Sequence, residues 1–122
     1  MRIRDKIKRP RRPVVVYEIL PPREKDGTLN SYAEIISSLL SQTHIDAINI
    51  PEVRDESMRG ARPVKNKTRA EPREFGKLLQ DIVGIEAIVN RVVVHQPIEE
   101  EINWIEETYT IYEIENLIVV GG

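Results

Sequence analysis

Four short apolar runs, each bounded by turn-forming residues, alternate along the chain with three longer stretches in which apolar residues recur every three or four positions. The runs are residues 14–20, 47–50, 85–94 and 116–120, rich in Val and Ile and of strand length. Between them lie Tyr32, Ile35, Ile36, Leu39 and Leu40, then Phe75, Leu78, Leu79 and Ile82, then Ile98, Ile102, Ile105, Tyr109 and Tyr112. Each set marks one face of a helix. Ser31 with Glu34 predicts a capping box for the first helix, and Pro72 with Gly84 brackets the second between a proline start and a glycine stop. Pro21-Pro22 and Pro51 end the first two strands. The third is expected to pass through Asn90-Arg91 with a bulge.

The order β-α-β-α-β-α-β predicts an α/β domain with parallel strands, over residues 14–122. In pattern this is the N-terminal half of a TIM-type (β/α)8 barrel, since eight such units take about 250 residues. A last strand at 116–120 without a covering helix leaves an edge open to pairing. The expectation is therefore a truncated barrel, or a part completed by a homo-oligomer or another half-barrel. A small open α/β sheet is the alternative. Residues 1–13 show no apolar period and carry seven basic residues against Asp5, which reads as a flexible basic arm. The arm has no aromatic residues to stack on bases, so nucleic acid is not the expected partner.

Composition narrows the chemistry. The chain has 122 residues, 40% hydrophobic and 31% charged, with a net charge of −2, as expected of one soluble globular domain. No apolar run reaches the ~20 residues of a membrane span, and no apolar signal core follows the basic start. A cytoplasmic location follows as the expectation. Without cysteine there is no disulfide, thiolate nucleophile or Cys-type zinc site. His44 and His95 stand too far apart in sequence for ligand spacing.

Glu18 is the misfit of the first strand. A carboxylate in an apolar run is either a paired structural residue, one at the wet strand end, or a working acid. Asn49 raises a similar choice between a structural hydrogen bond and ligand contact. The segment 52–71 is long and irregular, and should leave the strand end at which Glu18 sits. Arg54, Arg59, Arg62, Lys65, Lys67, Arg69 and Arg73 would bring positive charge beside that acid, suiting an anionic ligand, unless the segment is merely solvated. With Arg23, Arg54 and Arg59 are the candidate substrate-binding cations. Arg91 either meets Glu18 or Glu86, or points outward over a helix. His95 is expected to be a solvated turn residue, and Trp104 to be packing.

The run Tyr17-Glu18-Ile19-Leu20-Pro21-Pro22-Arg23 resembles the first-strand signature of the methylenetetrahydrofolate reductase family, aromatic-Glu-aromatic-aromatic-Pro-Pro-Lys/Arg. The resemblance covers about residues 14–122. It implies a (β/α)8 barrel carrying FAD, with NADH or NADPH as reductant, acting on a folate-type small molecule of the one-carbon metabolism that serves methionine biosynthesis. Glu18 takes the place of the family's general acid. Asn90 or Arg91 stands where the family's third strand has a His near the flavin, and Ile50-Pro51 stands where the second strand has a hydroxyl-bearing residue. Val120-Gly121-Gly122 aligns with the family's Arg-Gly-Asp stretch and stops before the acidic position. Asn49, Asn90, Gly121 and Gly122 are accordingly the candidate cofactor-binding residues.

The chemistry implied is flavin-mediated hydride transfer assisted by a carboxyl group kept protonated near neutral pH. Two other readings remain open: a flavin-free pterin-binding or methyl-transfer partner module, and an inactive barrel fragment.

Overall fold

The computed structural model describes residues 2–53 and 69–121. Its elements are α1 (Ile3–Lys8), β1 (Val16–Glu18), α2 (Leu29–Leu40), β2 (Ala47–Ile50), α3 (Pro72–Val83), β3 (Glu86–Val92), α4 (Ile98–Thr110) and β4 (Asn116–Val120). A single 3-10 turn, Glu24–Asp26, links β1 to α2. The four strands form one all-parallel sheet in the order β1-β2-β3-β4. The β3–β4 register runs from Ile88↔Asn116 to Val92↔Val120 without a slip, so the bulge expected at Asn90-Arg91 is not formed.

Strand alternation divides the side chains between two faces. Ile48, Ile50, Ala87 and Val89 lie on the face that packs against Ala33, Ile36 and Leu40 of α2 and Phe75 and Leu79 of α3. Glu18, Asn49, Ile88 and Asn90 alternate onto the opposite face, called here the inner face. Gly76 lets α3 come down close to the sheet, because a Cβ there would lie 3.0 Å from Ile114 Cδ1 and 3.2 Å from Ile50 Cδ1. α3 has the ends that its sequence announces, with Pro72 in its first turn and Gly84 in the left-handed conformation that stops it.

Four expectations are corrected. The strand around Glu18 is not buried: β1 is one of the two edges of the sheet, with β2 its one neighbouring strand among the described residues, and Val15, Val16, Tyr17 and Glu18 are exposed. The cap of α2 is Thr28, whose hydroxyl accepts from Ser31 N–H at 3.1 Å, in place of a Ser31–Glu34 box. α2 and α4 are also turned from the faces expected, since Ile35 and Leu39, and Ile98, Ile102, Ile105 and Tyr109, are exposed. Glu101 and Thr108 are buried in their place on α4, with Trp104 packed against the core.

The fourth concerns residues 2–13, which are not a free arm. Ile3 is only 3% exposed, and its N–H donates to Glu86 Oε2 at 3.0 Å. Arg2 pairs with Glu115 at 2.7 Å, while Lys6 and Arg12 reach Asp46 at 3.1 and 2.8 Å. The basic residues thus meet acids set at the N-terminal ends of β2 and β4, and α1 is held where charges and one isoleucine converge.

Candidate functional site

Glu18 ends β1 and Asn49 sits opposite it in the β1–β2 register, both on the inner face near the C-terminal ends of the strands. Ligand sites in parallel sheets characteristically form at this end. The Asn49 amide donates to Glu18 Oε2 at 3.4 Å. Asn49 is 8% exposed, and its Oδ1 is buried without a hydrogen-bond partner. Asn90, on the same face of β3, has a buried Oδ1 in the same state. An orphaned buried acceptor carries a desolvation cost of about 1–3 kcal/mol that a ligand N–H removes. The inner face therefore offers one carboxylate open to solvent and two acceptors waiting for donors.

Arg91 does not join this group. It alternates onto the helix-covered face, where it contacts Glu52 at 3.0 Å and Glu101 at 2.8 Å and lies 4.7 Å from the Trp104 ring. Burial works against its charge, but Glu101 and Glu52 outweigh that and push its pKa above the ordinary guanidinium value. Arg73 also lies over the same indole, 4.6 Å from the rings of both Trp104 and Tyr112, with Glu71 and Glu107 as carboxylate partners. Burial and then Glu71 push the Tyr112 hydroxyl's pKa up. The expected gathering of cations around Glu18 is thus not seen for Arg73. Arg69 instead donates to Pro21 O at 2.8 Å.

Arg23 is engaged locally: its N–H donates to Asp26 Oδ2 at 2.8 Å, and its Nε lies 3.6 Å from the same oxygen. That backbone N–H is the main cause of the lowered pKa of Asp26. Gly121 follows β4, with open space around its α-carbon. Arg54, Arg59, Arg62, Lys65, Lys67 and Gly122 lie outside the described residues. His95 is exposed in the turn after β3.

Sequence reasoning missed two features. One is the Arg73–Trp104–Arg91 stack, which flanks a cavity of about 560 Å³ on the helix side of the strand ends, with Pro21 and Glu52 in its wall. Its signal was an arginine in an apolar strand followed ten residues later by a first-turn glutamate. The other is Asp46, buried ahead of β2, which receives Val15 N–H, Lys6, Arg12 and His44. Among the described residues no helix is long and apolar enough to cross a membrane. No group of three His, Asp or Glu that could hold a metal stands together among them.

No protein-family model matches the chain, and no curated protein matches it.

Proposed function

We propose that these residues are the N-terminal half of a (β/α)8 barrel that works as a methylenetetrahydrofolate reductase-like oxidoreductase, with Glu18 as general acid. The observation that carries the reading is the Glu18–Asn49 pair, set at the C-terminal end of adjacent parallel strands within the Tyr17–Arg23 signature. The four-stranded parallel sheet with alternating helices supports the architecture. So does the stripe Ile98, Ile102, Ile105 and Tyr109, which is exposed on the flank of α4 turned away from α3, where a barrel has its next helix. A completing half-barrel, or a second copy in a homo-oligomer, would cover the inner face and withdraw Glu18 from water.

The two orphaned acceptors fit the N–H-bearing edge of a flat heterocycle, which both a pterin and a flavin present. Asn49 and Asn90 would hold that edge, and FAD reduced by NADH or NADPH supplies hydride chemistry when bound. Glu18 gives its proton to a folate nitrogen as the bond from that nitrogen to the one-carbon bridge breaks. The carbon is left as an iminium on the other nitrogen, ready to accept hydride. The Asn49 amide keeps the carboxyl turned toward the inner face.

The test compares the chain with its Glu18→Gln variant, supplied with FAD, NADH and methylenetetrahydrofolate. Loss of at least a hundredfold in turnover is expected, and equal turnover removes Glu18 from the mechanism. A flavin-free pterin-binding or methyl-transfer module is the second reading, favoured by Ile50-Pro51 at the end of β2, which brings no hydroxyl to the flavin position. A flavin spectrum after reconstitution supports the first reading, and its absence with folate still bound supports the second.

A further inference from the structure

The cations of the N-terminal segment are more numerous than the acids that anchor them. A cavity of about 270 Å³ opens between the end of α1, the 9–14 segment and the lead into β2. Lys6, Arg9, Arg11, Arg12 and His44 line it, together with Asp46, and Pro10, Pro13 and Val14 supply an apolar wall.

Asp46 does not neutralise this cavity. Its side chain is 1% exposed and already receives Val15 N–H, Arg12, Lys6 and His44, so it fixes two cations and the imidazole in place. Arg9 and Arg11 have no carboxylate partner among the described residues. Four permanent cations against one carboxylate leave an excess positive charge in a concave site, where low-dielectric walls concentrate the field. Two unengaged guanidinium forks match the paired oxygens of phosphate better than a single carboxylate.

From this geometry we propose that the cavity is an anion site for a small organic phosphate, its phosphate held between Arg9 and Arg11 and its organic part against Pro10, Pro13 and Val14. The site lies at the N-terminal end of the strands, opposite the Glu18 end, and does not rest on the reading of Glu18. A nucleic-acid groove fits less well, because the lining has no Phe, Tyr or Trp on which a base could stack and its one imidazole, His44, is engaged by Asp46.

The experiment is calorimetric titration of the full chain with inorganic pyrophosphate and with ADP, each at constant ionic strength set by sodium chloride. Saturable one-site binding of both is expected, at least tenfold weakened in the Arg9→Ala/Arg11→Ala variant and unchanged in Lys77→Ala, a distant cation. Since Arg9 and Arg11 are exposed and unpartnered, the variant should keep the circular dichroism of the parent. Undetectable binding, equal binding by the two variants, or binding of a single-stranded oligonucleotide that pyrophosphate does not displace would each overturn the assignment.

Discussion

Arg91 of β3 and Glu101 of α4 hold each other through two hydrogen bonds, Nε to Oε2 at 2.8 Å and Nη2 to Oε1 at 3.1 Å, with both side chains largely withdrawn from water. The pair explains how α4 is turned. Its most apolar face does not meet the sheet, because a glutamate has to face the arginine that β3 delivers to the helix side. Arg91→Ala leaves the Glu101 carboxylate buried without that charge, and breaking a buried pair costs about 3–5 kcal/mol. Urea denaturation should show that loss, and a Glu101→Gln change made in the Arg91→Ala background should restore part of it. A cost below about 1 kcal/mol would mean that the pair is a surface contact.

The rotation of α4 is open to a second check. Trp104→Ala removes an indole packed on the core and stacked with Arg73 and Arg91 at 4.6 and 4.7 Å. That substitution should cost about 3 kcal/mol. Ile102→Ala, on the exposed stripe, should stay within about 0.5 kcal/mol. The apolar pattern alone ranks these two residues the other way round, so denaturation midpoints of the pair decide between the faces.

Much of the fold was legible because local signals and tertiary packing agreed. The four strands fall where Val and Ile cluster, and α3 begins at Pro72 and stops at Gly84 because proline favours a first turn and only glycine enters the left-handed conformation without cost. Other features depended on partners distant in sequence. Thr28 and Ser31 are both residue types that cap helices, and α2 starts one turn earlier than the Ser31–Glu34 box implies, at Leu29 with Thr28 as its cap. α1 is six residues long with two apolar positions, too short to be seen as an amphipathic helix, and it is held by Asp46, Glu86 and Glu115, which lie 34 to 113 residues away from their partners. At the candidate site, Glu18 stood out as a charge in an apolar run and Asn49 as a polar residue within a strand, whereas Asn90 was marked only by the family resemblance. That Arg91 belongs to the other face follows from alternation alone, once Asn90 is assigned to the inner face.

Gly76 sets two effects against each other. In an exposed helix interior Gly→Ala stabilises by about 1 kcal/mol. Here the new methyl would meet Ile114 at 3.0 Å, Ile50 at 3.2 Å and the Ala87 Cβ at 3.3 Å, between α3 and the sheet. Overpacking of that kind costs about 1–3 kcal/mol, so Gly76→Ala should be neutral to destabilising, by up to roughly 2 kcal/mol. A gain in Tm would show that α3 has room to move outward.

Asp46 ties the N-terminal segment to the sheet in a pH-dependent way. Val15 N–H, then Lys6 and Arg12, hold its pKa at about 2 against an ordinary 3.8. The folded-state value is the lower one, so the folded chain favours the ionised form. The stabilisation is complete above the unfolded value and disappears as pH falls through about 2. Asp46→Asn should accordingly lower Tm at pH 7, with the gap to the parent narrowing below pH 4 and closing near pH 2. The same variant frees Lys6 and Arg12, so trypsin should cut after Lys6, Lys8 or Arg11, the basic residues there not followed by proline, several-fold faster at neutral pH, while the rest of the chain is cleaved at its former rate. Faster cleavage throughout the chain would show instead that Asp46 supports the sheet as a whole. In that case the N-terminal segment and the four strands unfold as one unit, and the neutral-pH loss in Tm reports β2 as much as α1.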